Sequence, residues 1–113
     1  MPAVSFFVRH RYGGDDRDPP LESLGALLDE VDEDPSDPEH ISVSVVHESD
    51  WAVGVYPGWR VTYENVEELD LEPRHLEAGS DREYVLRLMR AAAEGDRPTL
   101  EAQPWRPGYG PAS

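Results

Sequence analysis

The sequence predicts an α+β fold in the order β-α-β-β-β-α, an antiparallel sheet packed by helices on one face, followed by an extended C-terminal tail. Three stretches carry that prediction. ISVSVVH, residues 41 to 47, alternates apolar and polar with the period of a half-buried strand. WAVGVYPGWRVTYEN, residues 51 to 65, sets two β-branched and aromatic runs either side of Pro57-Gly58, the signature of a hairpin. SDREYVLRLMRAAAEG, residues 80 to 95, places apolar residues at helical spacing between a capping box and a terminal glycine. A chain of 113 residues suits one domain, 1 to 113, with the Pro/Gly-rich residues 98 to 113 as its tail.

The elements follow in order. Residues 3 to 9, AVSFFVR, are a first strand ending at the turn-forming Tyr12-Gly13-Gly14-Asp15-Asp16. Asp18 before Pro19 and Pro20 opens a helix over roughly 19 to 31, with Leu21, Leu24, Leu27, Leu28 and Val31 on one side. DEVDEDPSDPE, residues 29 to 39, holds seven acids, no base and two prolines, and reads as a solvated loop. Strands two, three and four form a meander through Glu48-Ser49-Asp50 and a turn at Pro57-Gly58.

Parity decides what the aromatic hairpin is for. An odd loop, Tyr56-Pro57-Gly58, pairs Val55 with Trp59, Val53 with Val61 and Trp51 with Tyr63, placing all six on one face. That stripe is then core, facing Val85, Leu88 and Met89 of the last helix, and Arg60, Thr62 and Glu64 join Ser42 and Ser44 on a polar face. Residues 66 to 79 read as loop, and Trp105 and Tyr109 lie against the domain surface.

The formal net charge of −14 excludes the obvious polyanionic partners, nucleic acid and anionic membrane. It fits either a solvated acidic surface or one that meets something basic. No apolar run approaches the roughly 20 residues of a membrane span, and the N-terminus lacks a signal-type apolar region, so a cytoplasmic location is expected. Cysteine is absent, which removes thiolate nucleophiles and Cys-type zinc sites.

Four histidines, at 10, 40, 47 and 75, sit in no known ligand motif. His47, Glu48 and Asp50 could present an imidazole and two carboxylates at a strand end, and Ser44, His47 and Asp50 make a Ser-His-Asp set on paper. Neither has a third distant ligand, a nucleophile-elbow sequence or a glycine-rich oxyanion turn, so the expectation is no enzyme, no metal and no cofactor. What remains is interaction chemistry. The candidate partner-binding residues are Asp32, Glu33, Asp34 and Asp37 in one acidic run, Glu64, Glu67, Glu68 and Asp70 in another, and Trp105 and Tyr109 as aromatic anchors.

The runs PPLESLGALLDEV, ISVSVV and WAVGVYPGWRVTYENVEE resemble small acidic actinobacterial proteins related to the immunity proteins of polymorphic toxin systems. All ten basic residues are Arg, in keeping with a GC-rich genome of that kind. The resemblance covers about half the chain and implies a protein that binds and blocks a toxin, often a basic nuclease or deaminase. It carries over no site residues. The alternatives are a small enzyme or metal-binding domain built on His47, Glu48 and Asp50, or a housekeeping protein whose acidity serves solubility; no feature fixes the oligomeric state.

Overall fold

A computed structural model describes residues 6–10, 14–32, 42–56, 59–68, 70–79 and 81–108. Glu33, Asp34, Asp37 and Tyr109, four of the expected partner-binding residues, lie outside them, as do Pro57 and Gly58 of the hairpin turn.

The strands are β1 (Phe6–Arg9), β2 (Asp15–Arg17), β3 (Val43–His47), β4 (Trp51–Tyr56), β5 (Arg60–Asn65), β6 (Arg74–Glu77) and β7 (Arg106–Pro107). They form one antiparallel sheet in the order β2-β1-β3-β4-β5-β6-β7. The helices are α1 (Leu24–Asp29), with a 3₁₀ turn on each side, α2 (Arg82–Glu94) and α3 (Arg97–Glu101). The α+β class and the antiparallel sheet are therefore as the sequence predicts. The element order is richer, because β2, β6, β7 and α3 were not expected.

Period-two alternation builds the core. Phe6 and Val8, Val43 and Val45, Val53 and Val55, Val61 and Tyr63, and Leu76 share one face through the strand register, and all are buried. Leu24, Leu27 and Leu28 of α1, Val85, Leu88 and Met89 of α2, and Leu100 of α3 close the same apolar cluster from the other side. A buried aliphatic side chain of this kind contributes about 1.5–3 kcal/mol relative to exposure.

Asp81 caps α2 by accepting from the Tyr84 amide, and Gly95 ends it at φ 70°, a left-handed conformation that costs a Cβ-bearing residue energy. The expected capping box placed the cap one residue earlier, at Ser80, which is not among the described residues.

Both central hairpins use a three-residue loop whose last residue is left-handed, Asp50 at φ 74° and Trp59 at φ 63°. Each is closed by the same bond, Asp50 N–H to the His47 carbonyl and Trp59 N–H to the Tyr56 carbonyl. The observed pairs are Val55 with Val61, Val53 with Tyr63 and Trp51 with Asn65. The expected register is thus corrected by two residues. Tyr56 extends β4 and Trp59 enters the turn, which relieves Tyr56 of the α conformation that a following proline disfavours. Parity survives the slip, so the stripe still faces the helices, with Trp51 and Trp59 half-buried against the core.

The two edges are short and charged: β2 is Asp-Asp-Arg, wholly exposed, and β7 is Arg-Pro, whose proline has no N–H to offer. Such edges resist pairing with a further strand.

Candidate functional site

Two groups of charged residues stand apart, one paired within the chain, here the inward group, and one turned to solvent, the outward group. The inward group lies where α3 meets the sheet. Asp96 caps α3 by accepting from the Thr99 amide, and Pro98 sits in its first turn. The cap aims Arg97 and Glu101, one turn apart, at β5 and β6. Arg74 forks onto Glu101 with two bonds, Nη1 to Oε1 at 2.7 Å and Nη2 to Oε2 at 2.9 Å. Arg97 Nη2 donates to Glu101 Oε2 at 3.2 Å, and its Nε donates to the Tyr63 hydroxyl at 3.3 Å. Tyr63 in turn donates to Glu101 Oε2 at 3.0 Å.

Aromatic rings complete this cluster. The Arg97 guanidinium sits 4.2 Å from the Trp51 ring centroid, and that of Arg74 4.8 Å from Tyr63. Tyr63 lies 4.9 Å from Trp51 and stacks on Trp105 at 5.3 Å, while the Trp105 indole N–H donates to the Leu100 carbonyl. The Arg74 fork, with the Tyr63 and Arg97 bonds behind it, outweighs burial and holds the Glu101 carboxyl down at about 2. Burial, partly offset by the Arg97 bond, pushes the Tyr63 phenol up. Hydrogen bonds link Tyr63, Arg74, Arg97 and Glu101 in one cluster, which works as a latch that fastens α3 and the tail to the sheet. Trp105 is committed to it.

The outward group is the connection from β5 to β6. Asn65 is buried, and its Oδ1 accepts from the amides of Glu67 and Glu68 at 2.9 and 2.8 Å. Val66 N–H donates to the Asp50 carbonyl, and Leu71 N–H to that of Glu68. At the far end Gly108 N–H donates to the Pro73 carbonyl, just before the latched Arg74. A loop tied at both ends and in the middle gives up less entropy when it binds.

Glu67, Glu68, Asp70 and Glu72 are exposed on this loop and Glu64 is half-buried at its root. Among the described residues the exposed large hydrophobics are Val66, at 41%, and Leu71, at 47%, both between those acids. The expected acidic residues 64 to 70 are thus brought together. The apolar pair was missed: the run holds three apolar residues, Val66, Leu69 and Leu71, of which Leu69 lies outside the described residues, and only the fold shows that Val66 and Leu71 are exposed.

The other expected residues divide. In the 29 to 39 run, Asp29 pairs with Arg82 at 2.8 Å and Glu30 with His10, and Asp32 closes the 3₁₀ turn after α1. The described start of that run is therefore ordered by ion pairs, not loop. His47, Glu48 and Asp50 do not converge. His47 Nδ1 accepts from the Ser49 amide at 3.0 Å and its Nε2 is buried beside Gly95, whereas Glu48 is exposed to solvent. Ser44 and His47 differ in strand parity and lie on opposite sheet faces, so the Ser-His-Asp set does not assemble. Among the described residues no three His, Asp or Glu side chains are arranged to hold a metal ion, and no helix is long and apolar enough to cross a membrane.

Compared with protein families, with curated proteins and with solved structures, the chain shows no match to any of the three.

Proposed function

We propose that this chain is a cytoplasmic, non-enzymatic binding protein whose β5–β6 loop recognises a basic protein partner, and that neutralising a toxin, as immunity proteins do, is the biology such a surface serves. One observation carries the reading. Among the described residues the exposed large apolar side chains, Val66 and Leu71, are neighboured along the chain by Glu67, Glu68, Asp70 and Glu72, all exposed, on a loop braced at both ends. Apolar anchors inside a charged rim are the anatomy of a recognition patch: the anchors slow release and the rim steers encounter. With the whole chain at −14, long-range steering favours a cationic partner and opposes nucleic acid. The acid of residues 29 to 39 adds to that field.

The test is capture from the source organism at low and high salt, followed by association kinetics on the protein recovered. Because the Debye length is about 8 Å at 0.15 M ionic strength, added salt is expected to slow association while leaving dissociation nearly unchanged. Reversing Glu67, Glu68 and Asp70 to Arg should slow association in the same way. An acidic partner, or an on-rate indifferent to both salt and reversal, overturns the reading.

A further inference from the structure

His10 follows β1 and meets a carboxylate at each ring nitrogen: Nδ1 lies 2.6 Å from Glu30 Oε2, in the turn after α1, and Nε2 lies 2.6 Å from Asp16 Oδ2, on β2. Two ionised carboxylates can only accept, so both contacts are hydrogen bonds only when the ring carries two N–H groups. A neutral imidazole has one. Its other nitrogen would then set a lone pair against an oxygen at hydrogen-bond distance, and that contact has to open.

Each of the joined segments is tied elsewhere, β2 to β1 by the strand ladder and α1 to the core through Leu24, Leu27 and Leu28, and His10 bridges the two. β2 is a three-residue edge strand with every residue exposed, held by its ladder to β1, by the His10 amide on the Gly14 carbonyl and by the Phe6 amide on Asp18 Oδ1 at 2.9 Å. Helix α1 has six residues and no side-chain cap, so its last turn depends on tertiary contacts. A short edge strand and the last turn of a short helix are parts of a fold that open locally at lower free-energy cost than its core.

The described charges around the ring are few. Asp16 faces it from β2 and Glu30 from the turn after α1. On its own strand Arg9 alternates to the other face and pairs with Asp15 at 3.3 Å, and Asp29, beside Glu30, is turned to Arg82 of α2.

We propose that His10 is a proton-operated clasp: as imidazolium it ties the β1–β2 hairpin to the end of α1, and on losing its proton it releases one of them. The clasp stands at the start of the 29 to 39 acidic run. It does not rest on the partner proposed above. The sign follows from the partners. The Asp16 bond, then the Glu30 bond, raise the ring above its ordinary 6.5, against a smaller opposing effect of burial. The tie is therefore complete below 6.5 and is lost as pH rises through the raised folded value.

The experiment is a pH titration of the full chain by NMR, following the His10 ring and the amides of residues 14 to 17 and 29 to 32. The expected result is a His10 midpoint above 6.5, with those amides shifting at the same midpoint. In Asp16→Asn and in Glu30→Gln the midpoint should fall back towards 6.5, and in His10→Gln the amide shifts should vanish. A midpoint at or below 6.5, one unmoved by both carboxylate variants, or amides that titrate unchanged in His10→Gln would each overturn the clasp. The two carboxylate variants keep the test decisive if His10→Gln does not fold.

Discussion

The α3 latch and the β5–β6 loop are built from the same acidic residue type and put it to opposite use. Glu101 spends its carboxylate on the chain's own groups, two guanidiniums and a phenol. Glu67, Glu68, Asp70 and Glu72 turn theirs to solvent, and for Glu67 and Glu68 it is the backbone that is fixed. In a chain with 24 acids and ten bases, acid outnumbers any possible internal pairing, so the informative question about each carboxylate is where its partner lies. A carboxylate with internal donors stabilises the fold; one without them, beside an exposed Val or Leu, is available to another molecule. The latch also braces the loop, because Arg74 is its forked cation and opens β6 directly after it.

The largest expected effect strikes the latch. Tyr63 is fully buried and touches both arginines, Glu101 and two Trp rings, so Tyr63→Ala should cost about 3–5 kcal/mol in urea unfolding, as truncation of a buried aromatic does. A cost below about 1 kcal/mol would mean that the cluster is ornamental and the contrast false.

Next comes Gly95, which joins α2 to α3 and so aims the latch. A Cβ there would lie 2.5 Å from His47 Nε2, on a residue already at φ 70°. Gly95→Ala should destabilise by about 2–4 kcal/mol, the sum of a left-handed penalty and overpacking. Pairing it with His47→Ala should recover the overpacking part alone, which separates the two causes by thermal denaturation.

Glu101→Gln tests the charge itself. Its carboxyl titrates near 2 in the fold and at 4.5 when unperturbed. A depressed folded value gives stability that is complete above 4.5 and is lost as pH falls towards 2. The shift bounds the effect at about 3 kcal/mol. The side chain is 37% exposed, so water screens it and about 1–2 kcal/mol is the expected cost near neutrality. The variant should also lose the acid-limb slope between pH 4.5 and 2; an unchanged slope in chemical unfolding would remove Glu101 from the latch.

What could be read from the sequence follows the physics of each element. Helix α2 was legible because 13 residues repeat one period between Asp81 and Gly95. The hairpins were legible by parity, and a two-residue error in register left the buried face unchanged because side chains alternate with period two. β2, β6 and β7 were not legible: Asp-Asp-Arg and Arg-Pro hold no apolar alternation, and Arg-His-Leu-Glu holds one apolar residue, Leu76. They are strands because neighbours pair with them. Helix α3 did carry a local signal, Asp96 two residues before Pro98, masked by the prolines that follow. The latch joins Glu101 to residues 27 and 38 positions away, a distance that no local pattern spans. The acid of the loop was plain from composition, whereas the value of Val66 and Leu71 depends on exposure, which only the fold decides.

The smallest expected effect on stability sharpens the comparison most. Val66 and Leu71 keep 41% and 47% of their surface in water and lie outside the core cluster, so replacing both with Ser should shift unfolding by no more than about 0.5 kcal/mol each. Their amides, which hold the loop's shape, remain in place because those bonds are made by the backbone. If the proposed basic partner exists, the same double variant should release it faster while associating at the parental rate, since apolar anchors act in a formed complex and a carboxylate rim acts before it. Reversal of Glu67, Glu68 and Asp70 gives the mirror image, a slower encounter with little change in release. If the Val66 and Leu71 variant unfolds several kcal/mol more easily, the pair belongs to the fold as Tyr63 does. The loop would then be a second structural cluster rather than the outward counterpart of the latch.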